Sequence, residues 1–495
     1  MKKTAFLAKL LCLLLALSML LVVMVACATE DEDVDSETSE EKGTDGTGGE
    51  LATGTGEYED GLSDLNFNTE IRAVASKDQS YQVFVLEESE NVILNAVYQR
   101  TLNVEERLGL QIEWSAMDAS WNNQREIFFQ HIQTTCESGI AYDALCLYNL
   151  MPGALAAKGL CENLADTTYI DLEAPWWPED FINEIVVNDQ LYCLVENSSY
   201  GTLRNIHGVF FNNSLLDARN LRSPYDMVKA NEWTFENMIA LVKDQGSDLN
   251  NNGQQDKDDF FGVMTGTEAK IETWFYGMGY KYATKNAEGL PELLMNDVEY
   301  ITSWLDTFAT NTASNKDFWM WDKEGHTKMF FKESTILYMT AIRMVEHGAS
   351  SEVKLDYGVV PVPKKDAAQE KYITNVANSH DMWCIPVNGK DLDASSAFVE
   401  CMAVESYRYV APIYFDQCVK LRYAPDERLS EMYDMIRDSI VFDFCVIYSF
   451  ALPQVPRTLL HASAKNPSTT PWTSQWEKNG GPMESGFASI LDLYQ

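Results

Sequence analysis

The run Asp248-Leu-Asn-Asn-Asn-Gly-Gln-Gln-Asp-Lys-Asp-Asp259 has the residue types and spacing to hold a hard cation. Oxygen-bearing side chains fall at loop positions 1, 3 and 5 (Asp248, Asn250, Asn252), glycine at 6 (Gly253), and acids at 9 and 12 (Asp256, Asp259), which is the pattern of a calcium loop. Such a cation needs six or more oxygens, and Gly253 permits the sharp turn that brings both halves of the loop around it. Gln254 would add its backbone carbonyl. Three departures weaken the site: Asp259 replaces the usual bidentate Glu, Gln255 stands where an apolar residue is normal, and two Asn lower the ligand charge. A structural Ca2+ is the expectation, and a solvated acidic turn without metal is the alternative. No flanking EF-hand pair is apparent, so a calcium sensor is not expected.

Aromatic side chains supply a second kind of chemistry. Twelve Trp stand beside 23 Tyr and 22 Phe. Sugar rings present flat C–H faces that pack on aromatic rings while their hydroxyls take hydrogen bonds, so a saccharide cleft combines Trp and Tyr with Asp, Asn and Arg. Most aromatics in any chain fill its core. Trp233, in the predicted helix start Asn231-Glu-Trp-Thr234, and Trp304, on an amphipathic helix, read as packing residues. Trp176-Trp177, Trp274 with Tyr276, Trp319 with Trp321, and Trp383 lie where the chain leaves a strand or enters a loop. Of these, Trp177, Trp274 and Trp383 are the candidate ligand contacts. Catalytic patterns are sparse: no G-x-S-x-G elbow, H-E-x-x-H helix or P-loop occurs, and the six histidines show no ligand spacing. His380 beside Asp381 is the one candidate base. A secreted glycoside hydrolase, which needs two carboxyl groups about 5 to 10 Å apart, stays open at this point.

These residues need a scaffold, and the chain supplies one in stages. Lys2, Lys3 and Lys9 precede an apolar run from Leu10 to Val25, closed by Ala26-Cys27. This is the layout of a secretory signal, shorter than the roughly 20 apolar residues of a spanning helix and followed by acidic residues rather than a basic flank. Val22-Val-Met-Val-Ala-Cys27 resembles a bacterial lipobox, which makes Cys27 the candidate lipidation site; Met24 departs from the usual Leu, and simple secretion is the alternative. Residues 28–66 are dominated by Asp and Glu with the single cation Lys42, and have little apolar surface to bury. They read as a solvated linker with a span on the order of 35 Å.

From about Thr69 onward the pattern is α/β. Glu70–Ala75, Leu110–Trp114 and Tyr142–Tyr148 read as strands, and Asn91–Leu108, Asn122–Ser138 and Pro152–Lys158 as helices between and after them. This alternation gives an open, mostly parallel sheet, in which ligands bind beyond the carboxyl ends of the strands. The turns after Ala75 and Leu147 follow, and Tyr148 and Asn149 become candidate ligand contacts.

Several stretches, in order, resemble the extracellular solute-binding proteins of family 1, the carbohydrate-type receptors of bacterial ABC importers: Tyr142-Asp143 with its strand, Ala156-Ala-Lys-Gly-Leu160, Asp171-Leu-Glu-Ala-Pro-Trp-Trp177, Gly208-Val-Phe-Phe-Asn-Asn-Ser-Leu-Leu216, Asn231-Glu-Trp-Thr234, Asp356-Tyr-Gly-Val-Val-Pro-Val-Pro-Lys364 and Ala411-Pro-Ile-Tyr-Phe415. The resemblance implies a two-lobed, type II periplasmic-binding-protein-like fold. Each lobe would be an open, mostly parallel sheet flanked by helices, with hinge strands near Arg204–Phe211 and Tyr357–Pro363 and a third crossing near Glu405. The lobes would be 67–205 plus 358–405 and 206–357 plus 406–495, after a signal at 1–27 and a linker at 28–66. It further implies that a predicted helix Phe330–Gly348 brings Arg343 to the cleft, where its donors could serve sugar hydroxyls; an internal ion pair with Glu346 or a distant acid is the alternative.

Composition narrows the partners. A net charge of −38 repels nucleic acid and anionic membrane surfaces. Of ten cysteines, Cys12 leaves with the signal and Cys27 would carry lipid. The others form no C-x-x-C pair and lie mostly in apolar runs, so most are expected buried and free, with a structural disulfide as the alternative. The expectation is a monomeric, lipid-anchored receptor on the extracellular face. It would capture a small-molecule carbohydrate, most simply an oligosaccharide, by hinge closure and deliver it to ABC transporter permease subunits. A receptor for a peptide or polyamine, a hydrolase and a surface adhesin are the alternatives.

Overall fold

The computed structural model describes residues 58–121, 124–267, 269–321, 325–349, 355–415 and 427–495. The signal, Cys27 and the acidic run to residue 57 lie outside the described residues. In chain order the strands are β1 (Thr69–Ser76), β2 (Leu110–Met117), β3 (Ala144–Tyr148), β4 (His207–Asn212), β5 (Phe261–Gly266), β6 (Ala283–Lys285), β7 (Pro291–Leu293), β8 (Phe318–Trp321), β9 (Thr335–Ala341), β10 (Tyr357–Val360) and β11 (Asp381–Cys384). They build one sheet in the order β11-β3-β1-β2, a second in the order β10-β4-β9-β5-β8, and a β6-β7 hairpin.

In the first sheet β1 runs parallel to both β2 and β3, while β11 closes the edge antiparallel to β3. Ala144, Leu145, Cys146 and Leu147 are all buried, as a strand covered on both faces requires. The crossover from β1 to β2 is the helix Val92–Leu108. Asn91 caps its start by accepting from the Ile93 and Leu94 backbone N–H groups, and Ile93, Ala96, Val97, Val104 and Leu108 bury one stripe. Gly109 ends it at φ 62, a left-handed conformation that a side chain would strain.

The second sheet is mixed. β4 lies antiparallel to β10 and β9, whereas β5 runs parallel to β9 and β8. Every residue of β4, β5 and β9 is buried. The fold is thus α/β, with two sheets flanked by helices.

Three segments tie the sheets together. Ile206 bridges Val376 in antiparallel fashion and Thr374 bridges Ile440 in parallel. Ala377 N–H donates to Asn205 O at 2.8 Å, and Val441 N–H donates to Thr374 O at 2.9 Å. The first crossing therefore lies where expected, at Asn205–His207. The second does not fall at Tyr357–Pro363, because β10 pairs with β4 and stays in the second sheet. Pro361 and Pro363 then remove donors and end the strand, and the chain crosses at Thr374–Ala377. Glu405 is not a crossing either: it ends the helix Leu392–Glu405 and accepts from Asn103 and Arg107 on the first sheet's own helix. The third tie is Ser439–Val441.

Two further expectations change. The helix expected over Phe330–Gly348 is instead a helix His326–Phe331, strand β9 and a helix Met344–Ala349. Ile336, Leu337 and Met339 bury completely, and β-pairing on both sides outweighs helical spacing. The linker also ends earlier than residue 66. Tyr58 packs edge-on against Trp176, Asp60 pairs with Arg107 and Arg408, and Leu62 is buried.

Candidate ligand-binding cleft

A cleft of about 500 Å³ opens between the ends of the two sheets. From the first sheet come Tyr148, at the carboxyl end of β3, Trp121, past the end of β2, and Asn378 and Ser379, just before β11. From the second come Arg343, past the end of β9, and Lys270, at the start of the helix Ala269–Gly277 that follows β5. The helix Pro456–Lys465 adds Arg457, His461 and Lys465.

One wall is aromatic. Trp121 is 47% exposed, its ring centroid lies 5.2 Å from that of Phe450, and Phe450 stacks in turn on Tyr148 at 6.4 Å. The Arg457 guanidinium sits 4.9 Å over the Trp121 ring and bonds the Tyr148 hydroxyl, whose pKa burial nevertheless raises. Glu272 lies behind Arg457, 3.7 Å from it.

The other wall is basic. Arg343 Nη1 donates to Asn205 Oδ1 at 2.8 Å and to Ser379 Oγ at 3.1 Å, which fixes the side chain between a crossing segment and the first sheet. Glu346, the sequence-predicted partner, instead forms the ion pair with Arg204. The Lys270 stem lies against Gly266, where a Cβ would meet its Cγ at 3.0 Å. Burial, and then the positive charges of Arg343 and Arg457, pull the Lys270 pKa down to about 7. His461 is 7% exposed and its Nε2 has no hydrogen-bond partner; burial, Arg457 and Lys465 keep it neutral.

Of the sequence-predicted contacts, Tyr148 and Arg343 line this cleft, and Asn149 lies buried behind it, with Nδ2 3.4 Å from Asn378 Oδ1. The three tryptophans do not reach it. Trp177 is 2% exposed and donates to Glu400 at 3.1 Å; Trp383 is 1% exposed and donates to Glu196 at 2.5 Å. Trp274 is fully buried against Phe235 and Phe318. Trp274 falls inside the helix Ala269–Gly277 and Trp383 inside β11 rather than at strand ends, and each of the three rings is buried in a core. His380 is buried as well, bonded to Ala377 O at 2.8 Å, and burial lowers its pKa to about 4.

The residues missed from sequence are Trp121, Lys270, Ser379, Arg457 and His461. Trp121 had a usable signal, since it follows the carboxyl end of β2 as Tyr148 closes that of β3. Lys270, Arg457 and His461 are single polar residues on helices and carry none.

The Asp248–Asp259 loop lies apart from the cleft. Asp248 accepts from the Asn252 and Gly253 N–H groups at 3.2 and 2.8 Å, Asn252 Oδ1 accepts from Gln254 N–H at 2.7 Å, and Asn250 Nδ2 donates to Asp256 at 3.0 Å. Asp259 accepts from Leu249 and Asp256 N–H at 3.0 Å each, so both its oxygens brace the loop. Gln255 anchors the loop by donating to Asn315 O and Lys316 O at 3.2 Å. Asn250 and Asn252 turn their amide nitrogens toward Asp256, so a calcium donor set would form only with both amides reoriented to present oxygen. Among the described residues no three His, Cys, Asp or Glu side chains group to hold a metal, so the amides would have to complete any site.

No family model matches the chain. No curated protein matches it either. Solved structures do. An ABC substrate-binding protein from Listeria monocytogenes in complex with cycloalternan is 14% identical, with a TM-score of 0.51 over 84% of this chain and 98% of that one. A cyclo/maltodextrin-binding protein complexed with maltotetraose is 11% identical, with a TM-score of 0.50 over 86% and 96%. The fold of this chain is that of the ABC substrate-binding proteins.

Proposed function

We propose that this chain is a carbohydrate receptor of an ABC importer, tethered through Cys27, which closes its cleft over an oligosaccharide and presents it to permease subunits. The observation that carries this reading is the cleft itself. Trp121 and Tyr148, backed by Phe450, line it together with the fixed donor Arg343, and the two sheets meet across three connecting segments. A guest touching both walls gains contacts only when the walls approach, so its binding shifts the population toward closure. The solved relatives, bound to cycloalternan and to maltotetraose, support the choice of carbohydrate.

The alternatives fare less well. Lys270, Arg343, Arg457 and Lys465 would repel a polyamine. No carboxylate lines the cleft among the described residues, so the paired acids of a glycoside hydrolase are not assembled there. In the calcium loop, Asp248, Asn250, Asn252, Asp256, Asp259 and the Gln254 carbonyl would hold Ca2+; the ion would rigidify the loop.

Titration calorimetry and small-angle scattering on the mature chain with Cys27→Ser test the receptor reading against a broad oligosaccharide panel. Binding heat with a smaller radius of gyration and recovery of intact sugar is expected. No heat with an unchanged outline, or a cleaved sugar, would refute it.

A further inference from the structure

We propose that the guest is anionic: the cleft accepts an acidic saccharide, one that carries a carboxylate or sulfate on a sugar ring. This rests on the carbohydrate reading above. The chain as a whole carries a net charge of −38, yet its cleft gathers Lys270, Arg343, Arg457 and Lys465 with no carboxylate among the described lining residues. A sugar hydroxyl both donates and accepts, so a neutral guest draws on acceptors as well as donors, whereas Lys and Arg side chains supply donors only. Here the nearby acids serve elsewhere. Glu346 pairs with Arg204, and Glu272 sits behind Arg457.

Lys270 is the decisive residue. Its Nζ makes no hydrogen bond or ion pair with any described residue, its stem occupies the space Gly266 leaves, and the guanidinium groups of Arg343 and Arg457 act on it as like charges. Charging a buried amine beside like charges without a counterion is unfavourable in the empty protein. A negative group between Lys270 and Arg343 would relieve that repulsion and bond both. Arg343 is ready for it, because Asn205 and Ser379 use Nη1 alone and the rest of the guanidinium has no hydrogen-bond partner among the described residues. His461, more than nine-tenths buried with an unpartnered Nε2, offers one further polar contact in the same cleft.

The test uses the mature chain, Cys27→Ser, with four probes: tetragalacturonate, a chondroitin sulfate tetrasaccharide, and the neutral galactotetraose and maltotetraose. Kd is measured at low and at moderate salt. At least one acidic probe should bind tenfold or more tighter than both neutral ones and weaken as salt rises. Preference for the uronate assigns a carboxylate, and preference for the sulfated probe assigns a sulfate. Lys270→Met should abolish the preference and Lys270→Arg should keep it, with unchanged melting temperatures showing that both variants fold. Neutral probes binding equally well, without salt dependence, would overturn the anionic assignment and leave the receptor reading standing. Absence of binding and closure with every probe would overturn both.

Discussion

Glu400 shows how a single buried acid sets a pH dependence. It sits beneath Trp176 and Trp177, whose indole N–H groups donate to it at 2.8 and 3.1 Å, yet burial pushes its pKa up to about 8. Between the unfolded value near 4.5 and this folded value, the native state holds a proton that the unfolded chain has lost, so stability falls as pH rises through that window. Glu400→Gln keeps an acceptor and removes the titration. From pH 5 to pH 8 its urea-unfolding free energy should gain roughly 2 to 4 kcal/mol on the parent, and a constant gap would refute the assignment. The same residue explains why Trp177 misled as a ligand contact. A tryptophan pair in a loop looks the same in sequence whether its indoles meet a guest or an internal carboxylate. Tyr148 lines the cleft because the end of a parallel strand places it there, and Arg343 lines it although the helix that was to carry it is a strand; Lys270 and Arg457 gave no signal, because a lone cation on a helix has no periodic signature.

Among the elements, those whose spacing repeats were readable. β1, β2, β3 and the helix Val92–Leu108 lie within a residue or a few of their expected ends. β9 was not, because its apolar run fits helix and strand alike and only pairing with β4 and β5 decides between them. The Asp248–Asp259 loop has the opposite character: its spacing is explicit, and its hydrogen bonds already hold the turn without metal. If Ca2+ binds it, millimolar calcium should raise the melting temperature over EDTA, by about 2.7 kcal/mol of stabilisation at a hundredfold excess over Kd. Asp248→Ala should erase the difference. Equal melting of the parent in calcium and EDTA would favour the bare acidic turn.

At the scale of the molecule the two sheets meet at Asn205, which is fully buried and uses its whole amide. Nδ2 donates to Gly201 O at 2.8 Å and Ser379 O at 3.0 Å, while Oδ1 accepts from Arg343 and from Ser379 Oγ. Asn205→Ala would leave these partners unpaired beside the crossing, costing roughly 2 to 3 kcal/mol. Denaturant titration should show that loss, and scattering should show a broader spread of outlines without ligand; a loss below about 0.5 kcal/mol would remove Asn205 from the hinge. The crossings themselves were only partly legible, since a proline-flanked edge strand and a true crossover read alike.

That β11 completes the first sheet has a consequence for the order in which the protein is made. β3 is synthesised early, but its antiparallel neighbour follows only after every strand of the second sheet; the Asn149–Asn378 contact beside this edge spans 229 positions. A chain emerging amino end first must carry an apolar strand with an unmatched border through most of its birth. Fragments that stop short of Asp381 should therefore be sticky rather than half-functional, and neither half of this molecule is a portable module.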